Sequence, residues 1–144
     1  MELSKVIAAS PTLIVAALIL LSLPFPRYRG LALGLLAIAI AAQPLKELFS
    51  ALGVDSRRPC CADELGMPSG HTMFATFLAI VGPSVLGVDA RSVCAWRSAL
   101  TLYAGVVAGQ RIASGKHSLE QVLVGLAIGA GAGYGIGVRP RRRS

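Results

Sequence analysis

Residues 119–138 read LEQVLVGLAIGAGAGYGIGV, and this stretch decides the class of fold. Glu120 is its one charged residue, and the stretch is long enough for a helix to cross the hydrocarbon core of a bilayer. Glycine recurs at every fourth position, at Gly125, Gly129, Gly133 and Gly137. One face of this helix therefore lacks side chains. We predict a membrane-spanning helix that packs closely, either on a neighbouring helix of the same chain or across a homodimer.

The rest of the chain repeats this apolar pattern. Apolar runs cover residues 6–23, 30–52, 72–88, 93–112 and 119–138. Of the 144 residues, 54% are hydrophobic and 15% are charged, and the mean hydropathy is +0.66. This composition is typical of an integral membrane protein rather than a soluble domain. We predict one all-α domain, an integral membrane helix bundle of about five transmembrane helices.

Two of the runs need a choice between interpretations. The first run has little positive charge before it and no clear cleavage site after it, so we interpret it as a retained helix rather than a signal peptide. The second run contains Pro44, but its apolar pattern continues beyond that residue. We expect the helix to pass Pro44 and to end at Gly53.

The formal net charge of +7 does not indicate nucleic-acid binding. The basic residues lie in the gaps between apolar runs and do not form a surface with interleaved aromatic residues. Alternation of five spans puts the gap after the second run and the gap after the fourth run on one side of the membrane. Arginine is concentrated on the other side. The positive-inside rule predicts a multi-pass protein with a cytoplasmic C-terminus and with these two gaps facing the lumen or the cell exterior.

Those two gaps contain the residues that can do chemistry. Residues 57–60 read RRPC and residues 66–71 read GMPSGH, while Arg111, His117 and Gln121 flank the start of the fifth run. Imidazole, guanidinium and ammonium groups together suit an attack on phosphorus and the stabilisation of the charge that develops there. We therefore predict a phosphate site at one end of the bundle.

The two histidines receive separate roles. His117 is the best candidate nucleophile, because it directly precedes the fifth run, with Ser118 as a helix N-cap. Gln121 lies on the same helical face and can offer its amide oxygen to one ring nitrogen of His117. His71 begins the third run and can protonate the leaving oxygen. A histidine at a membrane interface is more often a solvated or packed residue, so the prediction depends on the combination of these groups.

The predicted phosphate ligands come from both gaps. Arg58 and Arg111 can bind phosphate oxygens bidentately, although each alone could instead anchor a lipid headgroup. Ser69 and the backbone N–H groups of Gly70 and His71 lie at a helix start, which favours an anion. Asp63 and Glu64 have no third ligand that would indicate a metal site, and no cofactor is predicted.

These motifs resemble the type 2 phosphatidic acid phosphatase superfamily of integral membrane lipid phosphatases. Its pattern is Lys-x6-Arg-Pro, then Pro-Ser-Gly-His, then Ser-Arg-x5-His-x3-Asp. The second motif is complete at residues 68–71, Arg111 and His117 have the third motif's spacing, and Arg58 precedes a proline as in the first. The resemblance implies that His117 is the nucleophile and His71 the general acid, without a metal. It also implies phosphate binding by Lys46, Arg58, Ser69, Gly70 and Arg111.

The chain departs from the family pattern at three positions. Gln121 stands where the family usually has aspartate, and Gln110 replaces the serine before Arg111. Lys46 lies twelve positions before Arg58, where the pattern has seven. Either the extra residues bulge out and Lys46 keeps the lysine's role, or Arg57 takes it.

Several details are similar to the dolichyl diphosphatases within that superfamily. They are Arg58-Pro59-Cys60, the sequence of residues 66–69, and the spacing of His117 from Gln121-Val122. The similarity implies hydrolysis of a polyisoprenyl (dolichyl) diphosphate to the monophosphate through a phosphohistidine, at the lumenal face of the endoplasmic reticulum in a eukaryote. Phosphatidate and undecaprenyl diphosphate are alternative substrates. A third hypothesis is a non-catalytic relative that binds or scrambles lipids.

Overall fold

The computed structural model describes residues 13–14, 16–17, 19–21, 24–25, 28–54, 57–85, 88–89 and 91–137. Four helices lie wholly within these ranges: α1 (Arg29–Ala51), α2 (Gly70–Val85), α3 (Val93–Ala113) and α4 (Leu119–Gly137). A hairpin between α1 and α2 consists of β1 (Arg57–Arg58) and β2 (Cys61–Leu65). The predicted helical fold is confirmed. In the first predicted span, 6–23, the described residues are helical, and the others lie outside the described part of the chain.

Helix α1 passes Pro44 and ends where the sequence predicted. Leu52 is the C-cap, and Gly53 follows it with a φ of 73°. The N–H of Gly53 donates to the carbonyl of Ser50 (3.1 Å), and the N–H of Val54 donates to that of Phe49 (3.2 Å). These two bonds form a Schellman motif, in which a glycine with positive φ satisfies the last carbonyls of a helix.

Helix α2 is the centre of the bundle and packs against α1, α3 and α4. The α1 contacts join Phe77 to Gly34 and Gly70 to Ala42, so α1 and α2 are antiparallel. Helix α3 is also antiparallel to α2, because Leu100 lies beside Gly82 near the end of α2, whereas Val107 packs on Ala75 further towards its start.

The glycine face of α4 packs on α2 along its length. A Cβ at Gly125 would lie 2.7 Å from the carbonyl oxygen of Ser69, one at Gly129 would lie 2.9 Å from the Cα of Met73, and one at Gly133 would lie 3.0 Å from the Cβ of Ile80. Contacts therefore advance together along both helices, which are parallel. Glycine allows this close approach, as the intramolecular alternative predicted, while a homodimer through α4 stays a prediction.

Apolar side chains fill the bundle and also cover much of its outside. The main core cluster comprises Leu31, Leu35, Ile38, Met73, Phe74, Phe77, Leu78 and Val81. On the outer faces, Ile40 is 66% exposed and Leu102 is 71% exposed. Within the described residues, Arg29–Ala51 and Leu119–Ile136 are long and apolar enough to cross a membrane. This is consistent with a membrane protein, and the five-span arrangement remains a proposal.

The hairpin was not predicted. Its register pairs Arg58 with Cys61 and Arg57 with Leu65, and the register shifts between these two pairs. The two residues of β1 are too few to show the alternation of apolar and polar side chains by which a strand is recognised. The five residues of β2 read CADEL and do not alternate. The hairpin contacts α1 and brings Arg58 back over the end of the bundle.

Candidate active site

The alternating helix directions collect the polar motifs at one end of the bundle. The C-terminal ends of α1 and α3 lie there with the N-terminal ends of α2 and α4. Among the described residues, the buried polar or charged side chains are all at this end: Ser69, Thr72, Arg111, His117 and Gln121. Burying polar groups costs free energy unless they are bonded. Their concentration in one place therefore marks a functional site.

The turn between α3 and α4 fixes His117 relative to Arg111. Ser114 is the C-cap of α3, and Gly115 follows with a φ of 66°. The N–H groups of Lys116 and His117 both donate to the carbonyl of Arg111, at 3.1 and 3.2 Å. This second Schellman-type turn explains the five-residue spacing between Arg111 and His117, because a longer or shorter link would break these bonds.

A capping box at the start of α4 continues directly from that turn. The N–H of Gln121 donates to Ser118 Oγ, and the N–H of Ser118 donates to Gln121 Oε1, both at 3.3 Å. Two N–H groups without helical partners are thereby satisfied reciprocally. The same Oε1 atom lies 3.1 Å from Nδ1 of His117, as the sequence led us to expect.

This arrangement determines which nitrogen of His117 carries the proton. The backbone N–H of Ser118 can only donate, so the Gln121 atom that faces it is the amide oxygen. That oxygen can only accept, so Nδ1 of His117 must bear a hydrogen in order to bond to it. The neutral imidazole therefore has its lone pair on Nε2, which is the form required of a nucleophile.

His117 is also kept neutral by its surroundings. It is only 3% exposed, and this burial is the main cause that lowers its pKa to about 4. The hydrogen bond to Gln121 acts in the opposite direction, whereas the positive charges of Arg111, Arg58 and Lys46 lower the pKa further. The imidazole consequently holds no proton on Nε2 at neutral pH.

Three cations surround His117. Lys46 is half-buried on α1, Arg58 lies on β1 and Arg111 is buried on α3, and all three interact electrostatically with the imidazole. Lys46 interacts in addition with Arg58, Glu64 and Arg111. Glu64 forms an ion pair with Arg58 and also interacts with Lys46, so among the described side chains of this cluster one carboxylate accompanies three positive charges.

Two guanidinium nitrogens in this cluster lack partners. In the described part of the chain, Nε of Arg58 and Nε of Arg111 are buried without a hydrogen bond. A buried N–H group without an acceptor is costly. Phosphate oxygens would supply acceptors for both groups and balance the excess positive charge. The cluster can therefore bind a phosphate group.

The Pro-Ser-Gly-His motif lies at the start of α2, against the start of α4. The N–H of Ser69 donates to the backbone carbonyl of Gln121 (3.1 Å), which joins the two helix starts. Thr72 donates its hydroxyl hydrogen to Ser69 Oγ (2.9 Å), so Ser69 keeps its own hydroxyl hydrogen for another acceptor. Gly70 and the half-buried His71 form the first turn of α2 at this end.

The structure thus brings the predicted residues to one place and adds some that were missed. Lys46 lies within the cation cluster, while the side chain of Arg57 is outside the described part of the chain. Thr72 and Glu64 were not predicted. A threonine four residues after a proline, or an acidic residue in a gap, carries no specific signal.

The acidic and cysteine side chains described at this end belong to types that can bind metal ions. Cys60 and Cys61 are exposed and form no disulfide, and the thiol of Cys61 donates to Sγ of Cys60 at 2.8 Å. Within the described ranges, no group of three or more His, Cys, Asp or Glu side chains is arranged to hold a metal ion.

Comparison with known proteins agrees with this geometry at the level of the family. No curated protein and no solved structure matches the chain significantly. The model of the PAP2 superfamily, in contrast, matches residues 28–143, which include all of the site residues described above. With most of its length matched and the motifs gathered at one end of the bundle, the chain belongs to the PAP2 superfamily.

Proposed function

We propose that this protein is a membrane lipid phosphatase that hydrolyses a polyisoprenyl diphosphate to the monophosphate through a phosphohistidine on His117. The observation that carries the proposal is the neutral, buried imidazole, whose Nδ1 is bonded to Gln121 and which three cations surround. Members of the PAP2 superfamily are generally phosphatases, and the family indicates phosphatase activity on lipid-like substrates.

In the first step, Nε2 of His117 attacks the terminal phosphorus atom and the bond from phosphorus to the bridging oxygen breaks. His71 gives its proton to that oxygen, which leaves with the lipid monophosphate. Arg58, Arg111 and Lys46 stabilise the charge on the transferred phosphoryl oxygens. The hydrogen on Nδ1 stays in its bond to Gln121, so the ring does not turn away.

In the second step, water attacks phosphorus from the side that the lipid has left. His71, now without its proton, accepts one from the water, and the bond between phosphorus and Nε2 breaks. Inorganic phosphate is released and His117 returns to its starting form. Both steps balance without a metal ion or a cofactor, and we therefore propose a metal-independent reaction.

The choice of a diphosphate as substrate rests on the likeness of residues 57–60, 66–69 and 117–122 to dolichyl diphosphatases.

The proposal includes a multi-pass protein whose site faces the lumen or the cell exterior and whose C-terminus is cytoplasmic, since arginine is concentrated at the end of the bundle opposite the site. In a eukaryote the site would lie at the lumenal face of the endoplasmic reticulum membrane. Phosphatidate and undecaprenyl diphosphate remain alternative substrates. Gln121, a neutral residue where the family has aspartate, is what a non-catalytic lipid-binding or scrambling relative would also show.

Phosphate release in detergent separates these functions. Wild type and His117→Ala are compared on dolichyl diphosphate, undecaprenyl diphosphate and phosphatidate, with EDTA present. We expect wild type to release phosphate fastest from a polyisoprenyl diphosphate, and His117→Ala to release none while its helical circular dichroism is retained. Glu120→Gln is a matched control, because Glu120 is exposed on the same helical turn as Gln121. Release by neither protein from any lipid would contradict the proposal and favour the non-catalytic relative.

A further inference from the structure

Gly66 is buried directly against the amide of Gln121. A Cβ at Gly66 would lie 2.5 Å from Oε1 of Gln121 and 2.9 Å from both its Cδ and its Nε2. The only glycines with positive φ among the described residues are Gly53 and Gly115. Gly66 is therefore required for space and not for backbone conformation.

The space that Gly66 leaves is occupied by the group that orients His117. Gln121 is 2% exposed, and its Oε1 serves two N–H donors at once, the backbone of Ser118 and Nδ1 of His117. A displaced amide could not keep both bonds, because each requires the oxygen at its present position. Solvent cannot replace it, since the site is buried.

The segment that contains Gly66 cannot move away to relieve a contact. Met67 and Pro68 are buried, and the N–H of Ser69 is bonded to the backbone carbonyl of Gln121 itself. A methyl group at position 66 would therefore displace the end of the Gln121 side chain, because that side-chain end can rotate more easily than the backbone around Gly66 can move. The cost would appear in the orientation of His117 more than in the stability of the fold.

We propose that Gly66 is a positioning residue for the nucleophile: by lacking a side chain, it holds open the place in which Gln121 fixes His117 with the lone pair on Nε2. The kinetic part of this inference rests on the proposed phosphatase function. The proton position on His117 does not, and it can be measured in a protein without a known substrate.

The kinetic test is a double-mutant cycle of Gly66→Ala and Gln121→Ala, with Gly105→Ala as the control glycine, since a Cβ at Gly105 would meet nothing within 4 Å. We expect Gly66→Ala to lower kcat by about 10–100-fold, as loss of an orienting partner does, with a smaller change in KM. We expect the double variant to be no slower than Gln121→Ala alone. An unchanged kcat in Gly66→Ala, or losses that multiply in the double variant, would overturn the inference.

The second test reads the tautomer of His117 directly. The chain has two histidines, so ¹⁵N-labelled imidazoles give two sets of signals, and His71→Gln assigns them. We expect the Nδ1–H form of His117 in wild type and Gly105→Ala, and a mixture of tautomers in Gly66→Ala. An unchanged tautomer in Gly66→Ala would refute the inference. If wild type releases no phosphate, the proposed function fails while this test still decides the role of Gly66.

Whether the single and double variants fold is a third test of the contact between Gly66 and Gln121. Truncating Gln121 removes the atoms that a methyl group at position 66 would meet. If Gly66→Ala alone does not fold, Gly66→Ala with Gln121→Ala is expected to fold, and rescue in this pair would support the contact. Failure of both variants, with Gln121→Ala alone folded, would contradict it.

Discussion

Replacing Gln121 with glutamate tests how the protein keeps its nucleophile neutral. The side chain keeps its length and keeps an oxygen in the place that accepts from Ser118 and His117. Glutamate is also common at N3, the position that Gln121 occupies in the capping box, so the start of α4 should remain intact. The change thus adds one negative charge 3.1 Å from Nδ1 of His117.

The size of the effect can be bounded from this distance. A full charge at 3.1 Å stabilises the imidazolium by about 5 kcal/mol at an effective dielectric constant of about 20. Lys46, Arg58 and Arg111 oppose protonation of His117 in both proteins, so their effect is already contained in the pKa of about 4. The lower bound is the difference between a charged and a neutral hydrogen bond, about 1–1.5 kcal/mol. We therefore expect the pKa of His117 to rise from about 4, with a gain in proton affinity of at least about fivefold.

Two assays report this change. A titration of the ¹⁵N-labelled imidazoles follows His117 directly, and the acid limb of kcat/KM follows it in the free enzyme. In wild type the nucleophile loses its activity only as the pH falls towards about 4, because protonation of Nε2 removes the lone pair. In Gln121→Glu the acid limb should move upward by at least about 0.7 pH unit. Glu120→Gln, an exposed charge change on the same turn, should leave it unmoved. An unchanged titration of His117 in Gln121→Glu would refute the hydrogen bond on which the proposed mechanism depends.

Three other predictions test the surroundings of the site. Lys46→Ala should lower phosphate release more than Arg57→Ala does, because Lys46 interacts with the cation cluster and with His117; equal losses in a rate assay would assign the role to both. Gly129→Ala should lower the midpoint of thermal unfolding, at a cost of about 1–3 kcal/mol, because its methyl group would meet the backbone of Met73. Gly131→Ala, which meets nothing within 4 Å, should not, and equal midpoints would contradict the close packing of α4 on α2. Vanadate, which resembles five-coordinate phosphorus, should inhibit phosphate release competitively, and insensitivity would argue against the phosphohistidine.

The helices could be predicted because their signals are long and local. Apolar runs located α1 to α4 within a few residues, and Gly53 marked the end of α1 despite Pro44. Because two spans separate the two gaps, the sequence also predicted that the polar motifs share one end of the bundle. The contacts of α2 with its neighbours show helix directions that agree with this prediction.

The site could be predicted only in part, because some of its order arises from tertiary contacts. The bond from Gln121 to His117 follows from their spacing on one helix, so the sequence was sufficient. Gly66 lies fifty-five positions before Gln121, and no local pattern relates an isolated glycine to a distant amide. The hairpin carrying Arg58 was missed for a related reason. The strand β1 is too short to show a two-residue period, β2 does not alternate, and the place of the hairpin over the bundle depends on contacts with α1.

The most direct test of the central claim is to trap the phosphoenzyme. Wild type and His117→Ala are mixed with dolichyl diphosphate labelled with ³²P in the terminal phosphate, stopped with alkali within milliseconds to seconds, and analysed for label on the protein. We predict alkali-stable, acid-labile label on wild type, mapped to His117 and lost on a chase with unlabelled substrate, and none on His117→Ala. Phosphate release by His117→Ala at the wild-type rate, or label that maps to another residue, would contradict the role of His117 as the nucleophile.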